Sequence, residues 1–335
     1  MAKQSLATKY RPNGFDQLSA QDSVKDILAN QIETETFQHA YLFTGPAGCG
    51  KTTSARIFAN MINKHKGSPI EIDAASNSGV DNIRVIIDDA KKKPLDCEYK
   101  CFIIDECHSL SNGAWQALLK LLEESPKYAI FILATTDPQK IPATIISRVQ
   151  RFQFQKIPTD IIVNRLEYIL DQEELTADTD AIKYIAKVSN GGMRDAITLM
   201  DKCISLGKEL TLDNVLSVIG DYSYNTFMDI LTSLCEKNEH CIEIIEQAYN
   251  DGQDMKQLLK EFIRFTLDCE KYLLFKNFDI IGLPNTDEIK DYLKNLDIDK
   301  IKEVMAILVD LNANIRWDTD PKTSIELMFL KEINS

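Results

Sequence analysis

The stretch Gly45-Pro46-Ala47-Gly48-Cys49-Gly50-Lys51-Thr52 fits the pattern G-x-x-x-x-G-K-[ST] at every fixed position. Its glycines let successive backbone N–H groups curl around phosphate oxygens with no side chain in the way. The pattern carries this meaning only between a strand and a helix. Ala40-Tyr41-Leu42-Phe43 is an apolar run that reads as the strand, and Thr53 to Met61 reads as the helix. The helix N-terminus adds a partial positive charge beside the loop. Lys51 is expected to reach β- and γ-phosphates and Thr52 to ligate Mg²⁺, with Gly45 through Thr53 surrounding the triphosphate.

Up to residue 157, β-rich apolar runs alternate with helical patterns. Strands are expected at 41–44, 70–73, 101–105, 130–135 and 151–154, and helices at 21–34, 52–64, 80–92 and 112–124. Such alternation predicts a parallel sheet covered by helices, with functional residues at the carboxyl ends of the strands. Pro158 disfavours helix at Ile157, and Thr159 or Asp160 can cap a helix beyond it. Residues 160–219 read as about four short helices, broken at Gly191-Gly192 and Gly207. A longer helical block follows Gly220. Phe227, Ile230, Leu231 and Leu234 carry helical spacing there, as do Val304, Ile307 and Leu308, while Pro284 and Pro321 punctuate it.

Further residues fit phosphate chemistry. Phe102-Ile103-Ile104-Asp105-Glu106 is an apolar strand ending in two acids, the form of a Walker B element. Asp105 is expected to hold Mg²⁺ through water, and Glu106 to orient or deprotonate an attacking water. His108 reads as a packing or hydrogen-bonding residue. Thr136 ends the next strand, where it can position the same water or cap the turn before Pro138. Arg148 comes too late in the α/β region to serve its own phosphate and can point into a neighbour's site. Arg194, at the start of a helix, can fold back over a γ-phosphate; either arginine alone is also compatible with a surface salt bridge.

The charge balance is uneven. Net charge is −13 overall, but −10 of it lies in residues 221–335 and only −3 in residues 1–220. A local basic surface for DNA backbone is therefore compatible with the N-terminal part. Asn77 and Ser78 open a helix whose N-terminus can take a phosphate, with Arg84 and Lys91-Lys92-Lys93 nearby. The eight cysteines form no C-x-x-C pair, so reduced, buried thiols are expected and no zinc site. No apolar run approaches membrane-spanning length, and the first residues lack a signal-peptide core. A cytoplasmic location follows as the expectation, bacterial or phage-encoded in a host.

Together these motifs closely resemble the gamma/tau ATPase subunit of the bacterial DNA polymerase III clamp loader, within the AAA+ class. The resemblance covers the chain from about Leu6 to the end. It is carried by Lys9-Tyr10-Arg11-Pro12, the phosphate loop, Glu71-Ile72-Asp73-Ala74-Ala75-Ser76, Ile104-Asp105-Glu106, Ala117-Leu118-Leu119-Lys120, Leu122-Glu123-Glu124, Ala134 through Lys140, Ser147-Arg148 and Met193-Arg194-Asp195-Ala196. It implies an α/β P-loop AAA+ domain with a five-stranded parallel sheet (1–157), a helical lid domain (158–220) and an all-α collar domain (221–335). It places Tyr10, Arg11 and Pro12 near adenine, makes Thr136 sensor 1 and Arg194 sensor 2, and has Arg148 act in trans.

Two departures from the family stand out. The usual four-cysteine zinc module is replaced by Asn63-Lys64-His65-Lys66-Gly67-Ser68, and Ser-Arg-Cys becomes Ser147-Arg148-Val149. A short form without a tau-like extension is expected. The resemblance implies ATP and Mg²⁺ as ligands. It implies a homo- or hetero-pentamer of clamp-loader subunits as the assembly, and a sliding clamp, primer–template DNA held by its backbone and the replicative polymerase as partners. The function implied is ATP-driven loading of the clamp during replication. Another AAA+ repair or remodelling motor, or a structural subunit of the same complex, is the alternative.

Overall fold

The computed structural model describes residues 4–207, 209–219, 224–315 and 318–334. The chain divides into two compact units, Met1–Leu210 and Thr211–Ser335. The expected boundary at residues 220–221 lies outside the described residues.

In the first unit, five parallel strands form one sheet in the order β2-β3-β4-β1-β5. They are β1 (Ala40–Thr44), β2 (Ile70–Asp73), β3 (Lys100–Asp105), β4 (Ala129–Thr135) and β5 (Gln150–Gln153). Every residue of β1 and β4 is buried, as central strands covered on both faces must be. Edge strand β2 instead alternates half-buried Ile70 and Ile72 with exposed Glu71 and Asp73.

Strand alternation sorts the core into two layers. Leu42, Phe102, Ile104, Phe131 and Leu133 face α4 (Val80–Ala90) and α5 (Asn112–Glu123), meeting Ile83, Ile86, Trp115 and Leu118. Tyr41, Phe43, Ile103, Ile132 and Phe152 face α2 (Asp22–Glu33) and α3 (Lys51–Ile62), meeting Leu28, Ala55 and Phe58. A four-residue helix, α1 (Leu6–Lys9), precedes these elements, and α6 (Ala143–Ile146) leads into β5.

Three helices complete this unit: α7 (Thr159–Gln172), α8 (Thr179–Val188) and α9 (Met193–Ser205). The expectation that Thr159 or Asp160 caps α7 is not met. The cap position falls on Pro158, which has no side-chain acceptor, and both polar residues already lie inside the helix. Ile162, Leu166, Ile169, Tyr184, Ile185, Ile197 and Met200 are buried among these helices.

The second unit is helical among its described residues: α10 (Leu212–Ile219), α11 (Tyr224–Cys235), α12 (His240–Asn250), α13 (Met255–Phe275), α14 (Asp287–Lys294), α15 (Ile298–Ile315) and α16 (Pro321–Ile333). Its core joins Phe227, Ile230, Leu231 and Leu234 to Phe262, Phe265, Val304, Leu308 and Phe329. Asp254 caps α13 by accepting from Lys256 and Gln257 N–H, and Asp320 caps α16, with Pro321 at its first position. No helix among the described residues is long and apolar enough to cross a membrane.

Phe102 and Phe131 stack with centroids 5.1 Å apart and ring planes 11° from parallel, both fully buried. Phe102→Ala is therefore expected to cost about 3–5 kcal/mol, seen as a lower urea midpoint for loss of the sheet.

Candidate nucleotide site

Strand order determines what meets at the carboxyl edge of the sheet. β1 feeds the phosphate loop, β3 ends at Asp105, and β4 lies between them, paired through Thr44↔Thr135 on one side and Ile104↔Leu133 on the other. Thr135 and Thr136 are thus delivered between the loop and the acids.

The loop is held in backbone shapes that glycine allows. Gly48 has φ +69°, and a Cβ there would stand 2.9 Å from Gly192 Cα. The Gly48 carbonyl accepts from Met193 N–H at 3.0 Å, so the loop touches the start of α9 directly. Gly50 caps α3 at φ +102°. Lys51 is only 6% exposed, and its ammonium donates to the carbonyls of Gly45 (2.9 Å) and Pro46 (2.7 Å). Cys49 is buried, its thiol donating to Pro46 O at 3.0 Å, and burial pushes that thiol's pKa up. This argues for an inert packing residue within the cradle.

Thr52 Oγ1 donates to Asp105 Oδ2 at 2.6 Å, which places the two expected Mg²⁺ ligands side by side. Glu106 adopts the left-handed region, φ +45°, a conformation costing a non-glycine residue about 1–3 kcal/mol. Its carboxylate Oε2 accepts from Thr136 Oγ1 at 2.9 Å and Thr136 N–H at 3.2 Å. The turn before Pro138 is capped instead by Thr135, whose hydroxyl accepts from Asp137 N–H. His108 Nδ1 lies 3.1 Å from Thr135 Oγ1 and 3.2 Å from Glu106 Oε2. An imidazole N–H there can donate to only one of them at full strength.

A cavity of about 300 Å³ unites most of these groups. Tyr10, Arg11, Pro12, Ala47 through Thr53, Asp105, Glu106 and Arg194 line it. So do Asp195, from the motif around Arg194, and Ala7, Leu18, Ser19, Ile157, Arg165 and Ile197, which the sequence motifs do not mark. Gly45 and Pro46 meet the site through Lys51, and Thr136 through Glu106. The Tyr10 end is fastened to the lid helices. Its phenol donates to Glu173 Oε1 at 2.6 Å, which pushes its pKa up, and its carbonyl accepts from Arg165 Nη2 at 2.9 Å. Desolvation holds the Arg165 guanidinium below its usual pKa.

Arg148, Asn77, Ser78 and Arg84 lie apart from this cavity. Arg148 Nη2 pairs with Glu123 Oε1 at 2.7 Å, while Nη1 donates to Thr144 O and Ser147 Oγ. Ser78 precedes the Gly79 cap of α4 and Asn77 bonds Asp73 O, whereas Arg84 is paired with Asp81 at 2.9 Å. A phosphate at Arg84 would have to displace that acid.

The donor set suits a nucleoside triphosphate with a hard divalent cation: a glycine cradle at a helix N-terminus, a nearly buried lysine, and a hydroxyl beside a carboxylate. A family model described as DNA polymerase III, delta subunit, matches residues 20–79 and 70–158, and one described as DNA polymerase III clamp loader subunit, ATPase lid domain, matches residues 161–209. The Buchnera aphidicola (subsp. Acyrthosiphon pisum) protein named DNA polymerase III subunit gamma is 30% identical, covering 100% of both chains. The chain belongs to the gamma/tau family of DNA polymerase III subunits.

It is 36% identical to Bacillus subtilis DNA polymerase III subunit tau over 99% of this chain, and 34% identical to the Escherichia coli tau subunit over 78%. The chain spans 63% and 44% of those two proteins' lengths. Among solved structures, the Thermotoga maritima RuvB Holliday junction branch migration motor superposes with a TM-score of 0.52 at 21% identity, covering 73% of this chain and 86% of that one. That likeness shows the fold alone, a parallel α/β layer followed by helices.

Gly48→Ala places a Cβ against Gly192 and forces an unfavoured φ. Nucleotide affinity is expected to fall at least about tenfold, the equivalent of ~1.4 kcal/mol, as measured by titration with a fluorescent ATP analogue.

Proposed function

We propose that this gamma/tau-family chain is an ATP-hydrolysing clamp-loader subunit, working in a pentamer that opens a sliding clamp and loads it onto primer–template DNA. The carrying observation is a division of labour. The loop from Ala47 to Thr53, both acids and Arg194 line one cavity and Thr136 reaches it through Glu106, while Arg148, the remaining catalytic candidate, lies away from it on an exposed helix end.

On this reading Tyr10, Arg11 and Pro12 border the adenine, and Lys51 with the loop N–H groups binds the phosphates. Thr52 and Asp105 hold Mg²⁺, which when bound neutralises charge on the phosphate oxygens. Glu106 takes a proton from the attacking water as its oxygen bonds to the γ-phosphorus and the bond to the bridging oxygen of ADP breaks. Thr136 fixes that carboxylate. Arg194 steadies the γ-phosphate from the lid, and Arg148 steadies the one bound by the adjoining subunit.

The proposed organisation has an ATPase domain at 1–157, a lid at 158–220 and a helical collar at 221–335 that joins subunits. DNA is gripped by its backbone, with Asn77, Ser78 and Arg84 as contact candidates. ATP favours the clamp-gripping state and its hydrolysis releases the clamp. The replicative polymerase is the partner that uses the loaded clamp, and the bacterial cytoplasm, or that of a phage host, is the proposed location. The RuvB-like fold keeps a six-membered branch-migration motor as the rival reading. The mass of the ATP-loaded assembly, five subunits or six, decides between them.

Arg148→Ala should leave ATP binding intact and lower clamp- and DNA-stimulated hydrolysis by about 10³-fold, as expected for a trans-acting arginine. Wild-type turnover in that variant would remove Arg148 from the mechanism.

A further inference from the structure

Gln21 belongs to none of the motifs, yet it joins three parts of the site. It caps α2 from a left-handed conformation, φ +64°, directly after Ala20 at φ +58°. Two successive non-glycine residues in that region are unfavourable unless something holds them. What holds Gln21 is its own amide. Nε2 donates to Gln155 O at 2.7 Å and to Cys49 O at 3.3 Å, and Oε1 accepts from Gln155 N–H at 3.1 Å. The side chain thus pairs with Gln155 as a neighbouring strand would, and also reaches the phosphate loop.

The segment it grips, residues 154–157, leads from β5 to the lid. Phe154 N–H donates to Thr44 O at 2.7 Å, and a Cβ at Gly45 would lie 2.4 Å from Phe154 O, so the segment runs hard against the first glycine of the loop. Three residues on, Ile157 lines the nucleotide cavity and its N–H donates to Gly191 O at 3.1 Å, in the turn that opens α9. Arg194 is the second residue of α9.

We infer that Gln21 is a positioning residue that ties the phosphate loop to the lid linker, so that Arg194 follows what the loop binds. The inference rests on the proposed role of Arg194 at the γ-phosphate. Gln21 touches no phosphate itself; it fixes the 154–157 segment relative to Cys49, and that segment fixes the Gly191 turn. Losing the tie should leave the cradle able to bind ATP while loosening the placement of Arg194, lowering kcat more than affinity.

The test uses the full chain in its assembly, with Gln21→Ala, Arg194→Ala and the double variant. Gln21→Ala is expected to lower kcat about tenfold with less than about a threefold change in the ATP dissociation constant. The double variant should turn over no more slowly than Arg194→Ala alone, because one residue acts through the other. In hydrogen exchange, saturating ATP should protect the Ile157 amide in the wild type and not in Gln21→Ala, although loop amides are protected in both. Multiplying kinetic effects, or equal ATP-dependent protection of Ile157 in both proteins, would overturn the inference. If Gln21→Ala melts well below the wild type, Gln21→Glu is read in its place: it is isosteric, still accepts from Gln155 N–H, and cannot donate to either carbonyl. A normal Arg194→Ala enzyme would instead defeat the assigned role of Arg194, while the exchange comparison would still report on the tie.

Discussion

A parallel sheet sends every strand end to the same edge, and the chemistry of this chain depends on that constraint. With β4 inserted between β1 and β3, the phosphate loop, Thr135-Thr136 and Asp105-Glu106 must arrive side by side. No long-range side-chain contact is needed to find the site; sheet pairing alone brings residues 45–52, 105–106 and 135–136 together. What remains is fine placement, and hydrogen bonds perform it: Thr52 to Asp105, Thr136 to Glu106 and Lys51 back to its own loop. The left-handed backbone at Glu106 shows that this placement opposes local preference, which is common where a side chain must be aimed.

Much of this architecture is legible in the sequence because it is written in local patterns. The apolar runs of β1 and β4 and the helical spacing of α3 and α5 place those elements to within a residue or two, since buried parallel strands and amphipathic helices leave strong periodic traces. The loop, Asp105 and Glu106 are legible because their backbone and charge demands restrict residue type. Gln21, Arg165 and Glu173 are not. Each is a common polar residue on a helix or at its cap, and its importance comes from a partner 28 to 163 positions away in the chain. The cap of α7 is hidden for a related reason: Thr159 and Asp160 have the right chemistry, but the helix already begins at Thr159 and both lie inside it.

The lid is attached to the α/β layer by short polar seams. Gly48 O meets Met193 N–H, Ile157 N–H meets Gly191 O, Leu6 N–H meets Asp201, and Tyr10 meets Glu173 and Arg165. The neutral bonds among these contribute about 0.5–1.5 kcal/mol each and those to Asp201, Glu173 or Arg165 about 1.5–3 kcal/mol, so on the proposed reading any one seam can open and reform within the energy that binding a triphosphate supplies. On the proposed reading, a lid held partly by such bonds can answer to nucleotide. On the proposed reading, Tyr10, Lys51 and Arg194 all border one ligand, and that ligand becomes the common partner of all three.

Arg148 shows the opposite balance. Its guanidinium is satisfied locally, by Glu123 at 2.7 Å and by Thr144 O and Ser147 Oγ, but the pair is open to water, with side-chain exposures of 37% and 45%. An exposed ion pair is worth about 0–1 kcal/mol. A phosphate dianion in a water-poor interface attracts the same guanidinium far more strongly, since charge-assisted bonds strengthen as solvent is excluded. On the proposed reading, Glu123 is a resting partner that gives way at little cost. Reserving Arg148 for another protomer's phosphate requires only that the competing local bonds be weak, and their exposure makes them so.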